Sequence, residues 1–486
     1  MIGRIVLLAF LCNSHLLFCQ SNPNEFISKK AALQDIAILK TAIFEIHPST
    51  FRYTSRLEFQ NEFTNASNQI PDSIRVIDFA NLIVPVVAKI HCGHTFPLIP
   101  YINSSTKAIP LDVTIIDNRL FVLGNYNSQS EPKAGAEIVE INGIPTTTLL
   151  NDLRSKETGD GYVVTTKDRK IEKFFKWKYA TFYNQPDSFV IKFRHVENSE
   201  ISTATLPPLT DAAIEKNRGL QQKQKPYSFR IDKENDVAIL RISSFMAKQI
   251  KKRDKQSLNK TLKSAFREIK EKKINNLVID IRDNTGGMAY VPPYLYTYLS
   301  TKGFKFKDKL LFRHGYRFKN AEDLHRSKAN DWFNRLLMKK INDTTYEWTL
   351  HDNTRKTYRI KKNAFKGQLF VLQNGMTASG AAEFATLVHH NHRGMIVGEE
   401  SGGDYNGING YDRTYLRLPN SKIGVVIAGF RSIMPWDEKK YYGHGVPVDY
   451  EVHSQISDLL NGRDAELDFV YKYLKNKTEL HRGNGR

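Results

Sequence analysis

Two stretches of this chain run from a strand-like apolar segment directly into residues with almost no bulk, and they constrain the fold more than any other feature. "LVIDIRDNTGG" (residues 277–287) leaves its apolar run into Asp283-Asn284-Thr285-Gly286-Gly287. "LFVLQNGMTASG" (369–380) leaves into Thr377-Ala378-Ser379-Gly380. A short, continuous apolar run bounded by turn formers reads as a strand buried on both faces. With "DVAILRI" before them, "GAAEFATLVHH" between strands and "RGMIVGEE" after, the order is strand, helix, strand. Such an order predicts a largely parallel α/β sheet, and sheets of this kind bind ligands beyond the carboxyl ends of their strands. At those ends the glycines and alanines leave backbone amides open to approach. Ser379 falls at the start of the expected helix 380–390. It is either an ordinary helix cap or a hydroxyl set beside free amides and a positive dipole end, where acyl transfer is favoured.

The rest of the 486 residues divides by texture. The fold class expected is α/β within a multidomain α+β chain. Residues 1–19 read as a signal peptide and 20–105 as a helical region, broken by the Pro-containing "HPSTFRY". In 106–155, "LDVTIIDNRLFVLG" is a hairpin around Asp117-Asn118, and "IVEINGIP" is a strand entering an Asn-Gly turn. Residues 156–225 are polar, lysine-rich and read as connecting structure. The α/β core spans 226–450 and a helical tail 451–486.

Arg4 and the apolar stretch up to Phe18, followed by Gln20-Ser21-Asn22-Pro23, have the order of a secretory signal and are too short to span a membrane. The expected location is therefore export: periplasm, cell envelope or secretion, with cleavage between Cys19 and Gln20. Lipoprotein anchoring at Cys19 is disfavoured by the bulk of Phe18. Of the 3 cysteines, Cys12 and Cys19 lie in the signal, so Cys92 would be alone in the mature chain. The excess of Lys+Arg 71 over Asp+Glu 51 concentrates in residues 248–273. There Leu258, Leu262, Phe266 and Ile269 recur at helical spacing, so the run reads as an amphipathic helix with a solvated basic face. Nucleic acid is not an expected partner of an exported chain. Attraction to an anionic envelope surface is compatible with the charge.

The paired motifs resemble the core of the tail-specific, or C-terminal processing, serine proteases and of tricorn protease. Asp280, Arg282, Asn284, Gly286 and Gly287 match an Asp-x-Arg-x-Asn-x-Gly-Gly strand end, and Ser379 matches the nucleophile after a small-residue run. The upstream strand and Asn-Gly turn resemble a PDZ domain, which implies binding of an extended chain, with its C-terminus as one mode of capture. One branch of the family takes its base from a lysine downstream of the serine. That spacing lands near Asp404, and the first lysine reached is Lys422. The tricorn-like branch instead uses a histidine in a Gly-His-Thr setting, matched by Gly93-His94-Thr95. The resemblance thus implies an exported serine endopeptidase with nucleophile Ser379 and base His94. Its oxyanion donors would be Gly286 or Gly287, with Gly380. Where the family's orienting glutamate is expected stands Tyr442, leaving Asp437, Glu438, Glu399 or no acid at all for that role. Glu383, one helical turn after Ser379, reads as structural.

No metal or organic cofactor is expected. The His91-Cys92-Gly93-His94 run is too crowded for usual zinc-ligand spacing, and His389, His390 and His392 fall at a helix end, where histidines suit the dipole. "GEESGGDYNGING" reads as a mobile loop beside the site. Two other functions fit the same scaffold: a non-catalytic protein that binds peptide or lipid, and a small-ester hydrolase.

Overall fold

In a computed structural model of the protein, residues 22–99, 106–127, 130–183, 185–195, 200–218, 224–313, 332, 334–349 and 355–483 are described. The signal segment 1–19 therefore lies outside the described residues. The architecture is mixed α/β in several units. No helix among the described residues is long and apolar enough to cross a membrane.

At the centre is a six-stranded sheet, ordered Tyr227–Asp232, Val237–Ile242, Asn276–Asp280, Gln368–Gln373, Met395–Gly398, Tyr450–Glu451. The first pair is antiparallel and every later pair parallel. Alternate residues of a strand point to opposite faces, and both faces are covered here. Leu240, Leu277, Ile279, Leu369 and Val371 pack under Leu262, Phe266, Phe384 and Leu387 of the helices. Ile239, Val278, Phe370 and Leu372 pack on the other side against Leu467 and Val470 of the C-terminal helix Ala465–Gly483. Burial on both faces is why these strands are apolar throughout rather than alternating. The basic run carries two helices, Ala247–Arg253 and Leu258–Glu271, the second capped by Ser257 and burying Leu258, Leu262, Phe266 and Ile269.

The N-terminal helices Lys29–Ile46, Arg56–Asn68 and Val76–Ala88 lie on a second sheet, antiparallel throughout, whose strands include Asn409–Arg417 and Gly424–Ile433. Leu39, Phe59, Phe79 and Val87 pack with Leu416, Ile423, Val425 and Ile427. The short strand Phe96–Leu98 pairs with Gly424–Ile433, so the chain leaving the third helix is pinned to this sheet.

A third sheet begins with the expected hairpin, Leu111–Ile116 and Arg119–Asn125, turning at Asp117 (φ 49°) and Asn118 (φ 61°). Asn142 and Gly143 make a second turn with positive φ at both positions. The stretch expected as connecting structure belongs to this unit. Strands Phe189–Arg194 and Ser202–Leu206 extend the sheet, and helix Thr165–Phe182 covers it with Ile171, Phe175 and Tyr179.

Candidate active site

Strands Asn276–Asp280 and Gln368–Gln373 are parallel neighbours in register, Asp280 opposite Leu372, so their small-residue ends emerge side by side. Asn284, fully buried, ties the two ends together. Its Nδ2 donates to Ile242 O at 2.8 Å, its Oδ1 accepts from Gly286 N at 2.9 Å, and its carbonyl accepts from Ala378 N at 3.0 Å. Thr377 Oγ1 adds a 3.0 Å bond to Ile281 O. Arg282 faces away from this junction, binding Asp280, Asp464 and Glu466. This motif arginine holds the C-terminal helix rather than a substrate.

Ser379 precedes helix Gly380–His390 with φ 53° and ψ −130°, and its side chain makes no cap bond. The helix-cap alternative therefore fails: the hydroxyl points away from the amides it would satisfy. Left-handed φ at a non-glycine residue persists only where packing enforces it, and here the glycines make that packing. A Cβ on Gly286 (φ +89°) would stand 2.7 Å from Gly380 N and 2.8 Å from Ser379 Cβ. One on Gly403 would stand 3.0 Å from Ser379 N. The "GEESGGDYNGING" segment, expected as a mobile loop, is thus a buried wedge against the Ser379 turn, with Ser401 and Asn406 nearly inaccessible.

His94 arrives from 285 residues upstream and sets its Nε2 3.2 Å from Ser379 Oγ. Its neighbours fix the approach. Gly93 N donates to Asp160 Oδ1 at 2.7 Å, and the buried Thr95 Oγ1 accepts from Ala428 N at 3.0 Å. Burial, with Arg413 and Lys170 adding to it, pushes the imidazole down to about 3, against a smaller opposing pull from Glu383. The ring is therefore neutral at physiological pH, with a lone pair available to take a proton.

Among the described residues, nothing pairs with His94 Nδ1, which is buried. Glu438 is bound to Arg431 at 2.7 Å. Glu399 pairs with Arg169 at 2.7 Å and accepts the Gly375 amide. Asp437 accepts the Lys439 amide, and the Tyr442 hydroxyl donates to Arg52 O. None of the three candidate acids, Asp437, Glu438 and Glu399, hydrogen-bonds His94 among the described residues, which leaves the option of no acid. Asp404, where the lysine-base spacing lands, is buried against Arg52 at 3.0 Å and the Tyr53 hydroxyl at 2.6 Å.

The Gly286 N–H is engaged by Asn284. The amides of Gly287 and Gly380 make no internal hydrogen bond among the described residues, and both border Ser379. Glu383 is buried and bound to Lys307 at 2.9 Å and to Ser432 Oγ at 3.1 Å. The helix-end histidines pack on aromatic rings: His390 stacks on Trp436 at 4.2 Å and His389 bonds the Tyr405 hydroxyl at 3.1 Å. Asp160 and Lys307 were not foreseen. The one available signal for Asp160 was its place between Gly159 and Gly161.

The comparison with curated proteins returns no match. Among solved structures, mature CPAF superposes with a TM-score of 0.63 at 14% identity, covering 94% of this chain and 99% of that one. A CPAF s499a mutant gives 0.64 at 13% identity, over 92% and 96%. These likenesses establish the fold. Residues 236–452 match Peptidase family S41. That span contains Ser379 and both glycine amides but not His94, so the likeness to peptidase family S41 covers the hydroxyl and the amides, and the imidazole comes from outside it.

Proposed function

We propose that the protein is an exported serine peptidase that cleaves polypeptides through an acyl-enzyme formed on Ser379. The observation that carries this reading is the 3.2 Å approach of His94 Nε2 to Ser379 Oγ, beside two unengaged amides. In the first step Oγ attacks the scissile carbonyl carbon while its proton passes to Nε2. The carbonyl oxygen becomes an oxyanion facing the N–H groups of Gly287 and Gly380, each such donor contributing roughly 3–4 kcal/mol in comparable sites. His94 then returns the proton to the departing amine. A water attacks the ester by the same route, releasing the acid and restoring the hydroxyl.

Binding of the substrate as an extended strand is supported by the small antiparallel sheet between Leu111 and Leu206 and by the resemblance of the segment 106–155 to a PDZ domain. The export reading rests on the apolar segment after Arg4.

The test is covalent labelling by a fluorophosphonate together with digestion of unfolded casein. Wild type is expected to label at Ser379 and to cut casein, and Ser379→Ala to do neither. Equal inertness of both proteins would point to a binding scaffold. Ester turnover without casein cleavage would point to a small-ester hydrolase.

A further inference from the structure

The loop that delivers His94 also holds a cluster that the acyl-transfer chemistry does not use. Cys92, His94 and Asp160 each offer one ligand atom, and these atoms all lie within 4.8 Å of one another. Cys92 is 1% exposed and Asp160 4%. Because Nε2 of His94 faces Ser379, the free ring nitrogen is Nδ1, buried and without a hydrogen-bond partner. A buried polar atom left unpaired is costly unless something completes it. Thiolate, imidazole and carboxylate are the donors zinc prefers, and a tetrahedral ion with bonds of about 2.0–2.3 Å holds its donors about 3.3–3.8 Å apart. The present limit of 4.8 Å is about 1 Å wider than that spacing. The crowded His91-Cys92-Gly93-His94 run does not match a local zinc-ligand pattern, but the fold adds a donor from outside it. Asp160 comes from a different part of the fold, where it already holds the Gly93 amide at 2.7 Å.

We propose that Cys92, His94 and Asp160 form an inhibitory zinc site, in which the metal binds Nδ1 and disables the base. Its inhibitory consequence rests on the peptidase reading; the metal site itself does not. A neutral imidazole has one N–H and one lone pair. In the working tautomer the proton is on Nδ1 and the lone pair on Nε2 faces Ser379. Zinc at Nδ1 reverses this: the ring proton relocates to Nε2 through solvent, and Ser379 then meets a donor that cannot accept its proton. The Cys92 thiol releases its proton to solvent on binding, so one proton leaves for each zinc bound and nothing is oxidised or reduced. The fourth zinc position is left to water, as in other sites with three protein ligands.

Two measurements decide it. Titration with cobalt(II), a spectroscopic stand-in for zinc, is expected to give a thiolate-to-metal charge-transfer band in wild type and equally in Ser379→Ala, but not in Cys92→Ser. Zinc chloride is expected to slow fluorophosphonate labelling of wild type by about 10²-fold, the contribution of a general base, with full recovery on chelation. In Cys92→Ser, labelling without zinc stays at the wild-type rate and sensitivity to zinc falls by at least about 10-fold. Absence of the cobalt band overturns the site without need of any variant, and equal zinc inhibition of wild type and Cys92→Ser overturns the assignment of its ligands. A cobalt band in a protein that never labels overturns the peptidase reading and leaves the metal assignment standing.

Discussion

Ser379 is held by its surroundings in a backbone conformation that serine does not choose, and among the described residues no carboxylate hydrogen-bonds the His94 ring. Under the proposed mechanism these two residues set the pH behaviour. Because burial keeps the His94 ring neutral well below its ordinary 6.5, the base stays available in mild acid. The acid limb of kcat/KM is expected below pH 6.5, and a limb at or above 6.5 in a pH–rate profile would contradict it. His47 obeys the same physics away from the hydroxyl. Fully buried, with Arg313 and His94 nearby, it is pushed down to about 3. Its folded pKa is lowered, so below pH 6.5 the unfolded chain takes a proton that the folded chain refuses. Stability therefore falls as pH drops through that window, by about 2 kcal/mol between pH 6.5 and 5. Urea unfolding at the two pH values checks this, with His47→Gln expected to show the smaller loss. Ser379 and His94 were legible because small residues and a Gly-His-Thr setting are local patterns. Asp160 was not, because its partners Gly93 and Cys92 become neighbours only in the fold.

Among the elements, helix Gly380–His390 bears the greatest constraint. Every residue from Gly380 to Val388 is buried, which explains its run of alanines, yet it carries Glu383 in its first turn. That carboxylate is matched by Lys307, itself 1% exposed. Removing one partner of a buried pair leaves an uncompensated charge, so Lys307→Met is expected to lower stability by about 3–5 kcal/mol. A loss under about 1 kcal/mol in denaturant unfolding would show that Glu383 is not held as an anion. The central strands were readable because burial on both faces writes a continuous apolar run. Helix Thr165–Phe182 was harder: its buried Ile171, Phe175 and Tyr179 follow helical spacing, but lysines surround them. Even Lys176 is largely buried, with its amine reaching Asp211 at 2.8 Å. The glycine-rich segment 401–410 was misjudged for a related reason. Glycine signals mobility in a bare sequence, whereas here it permits contact: a Cβ on Gly402 would meet Gly375 O at 2.1 Å.

Across the whole molecule, the central sheet depends on both of its coverings. Deleting the C-terminal helix from Ala465 onward would uncover Val237, Val278, Phe370 and Leu372 and take Glu466 from Arg282. Each large apolar side chain so exposed loses about 1.5–3 kcal/mol of burial. The truncated chain is expected to be cut by a probe protease under conditions where the full chain resists, and equal resistance would show that the helix is dispensable. The 285-residue separation between imidazole and hydroxyl has a further consequence during synthesis. A nascent chain that has folded only its first helices holds His94 without Ser379, and the 3.2 Å approach forms only once the later-made sheet is in place. On the proposed reading, the order of translation thus leaves an unfinished copy without its nucleophile–base pair.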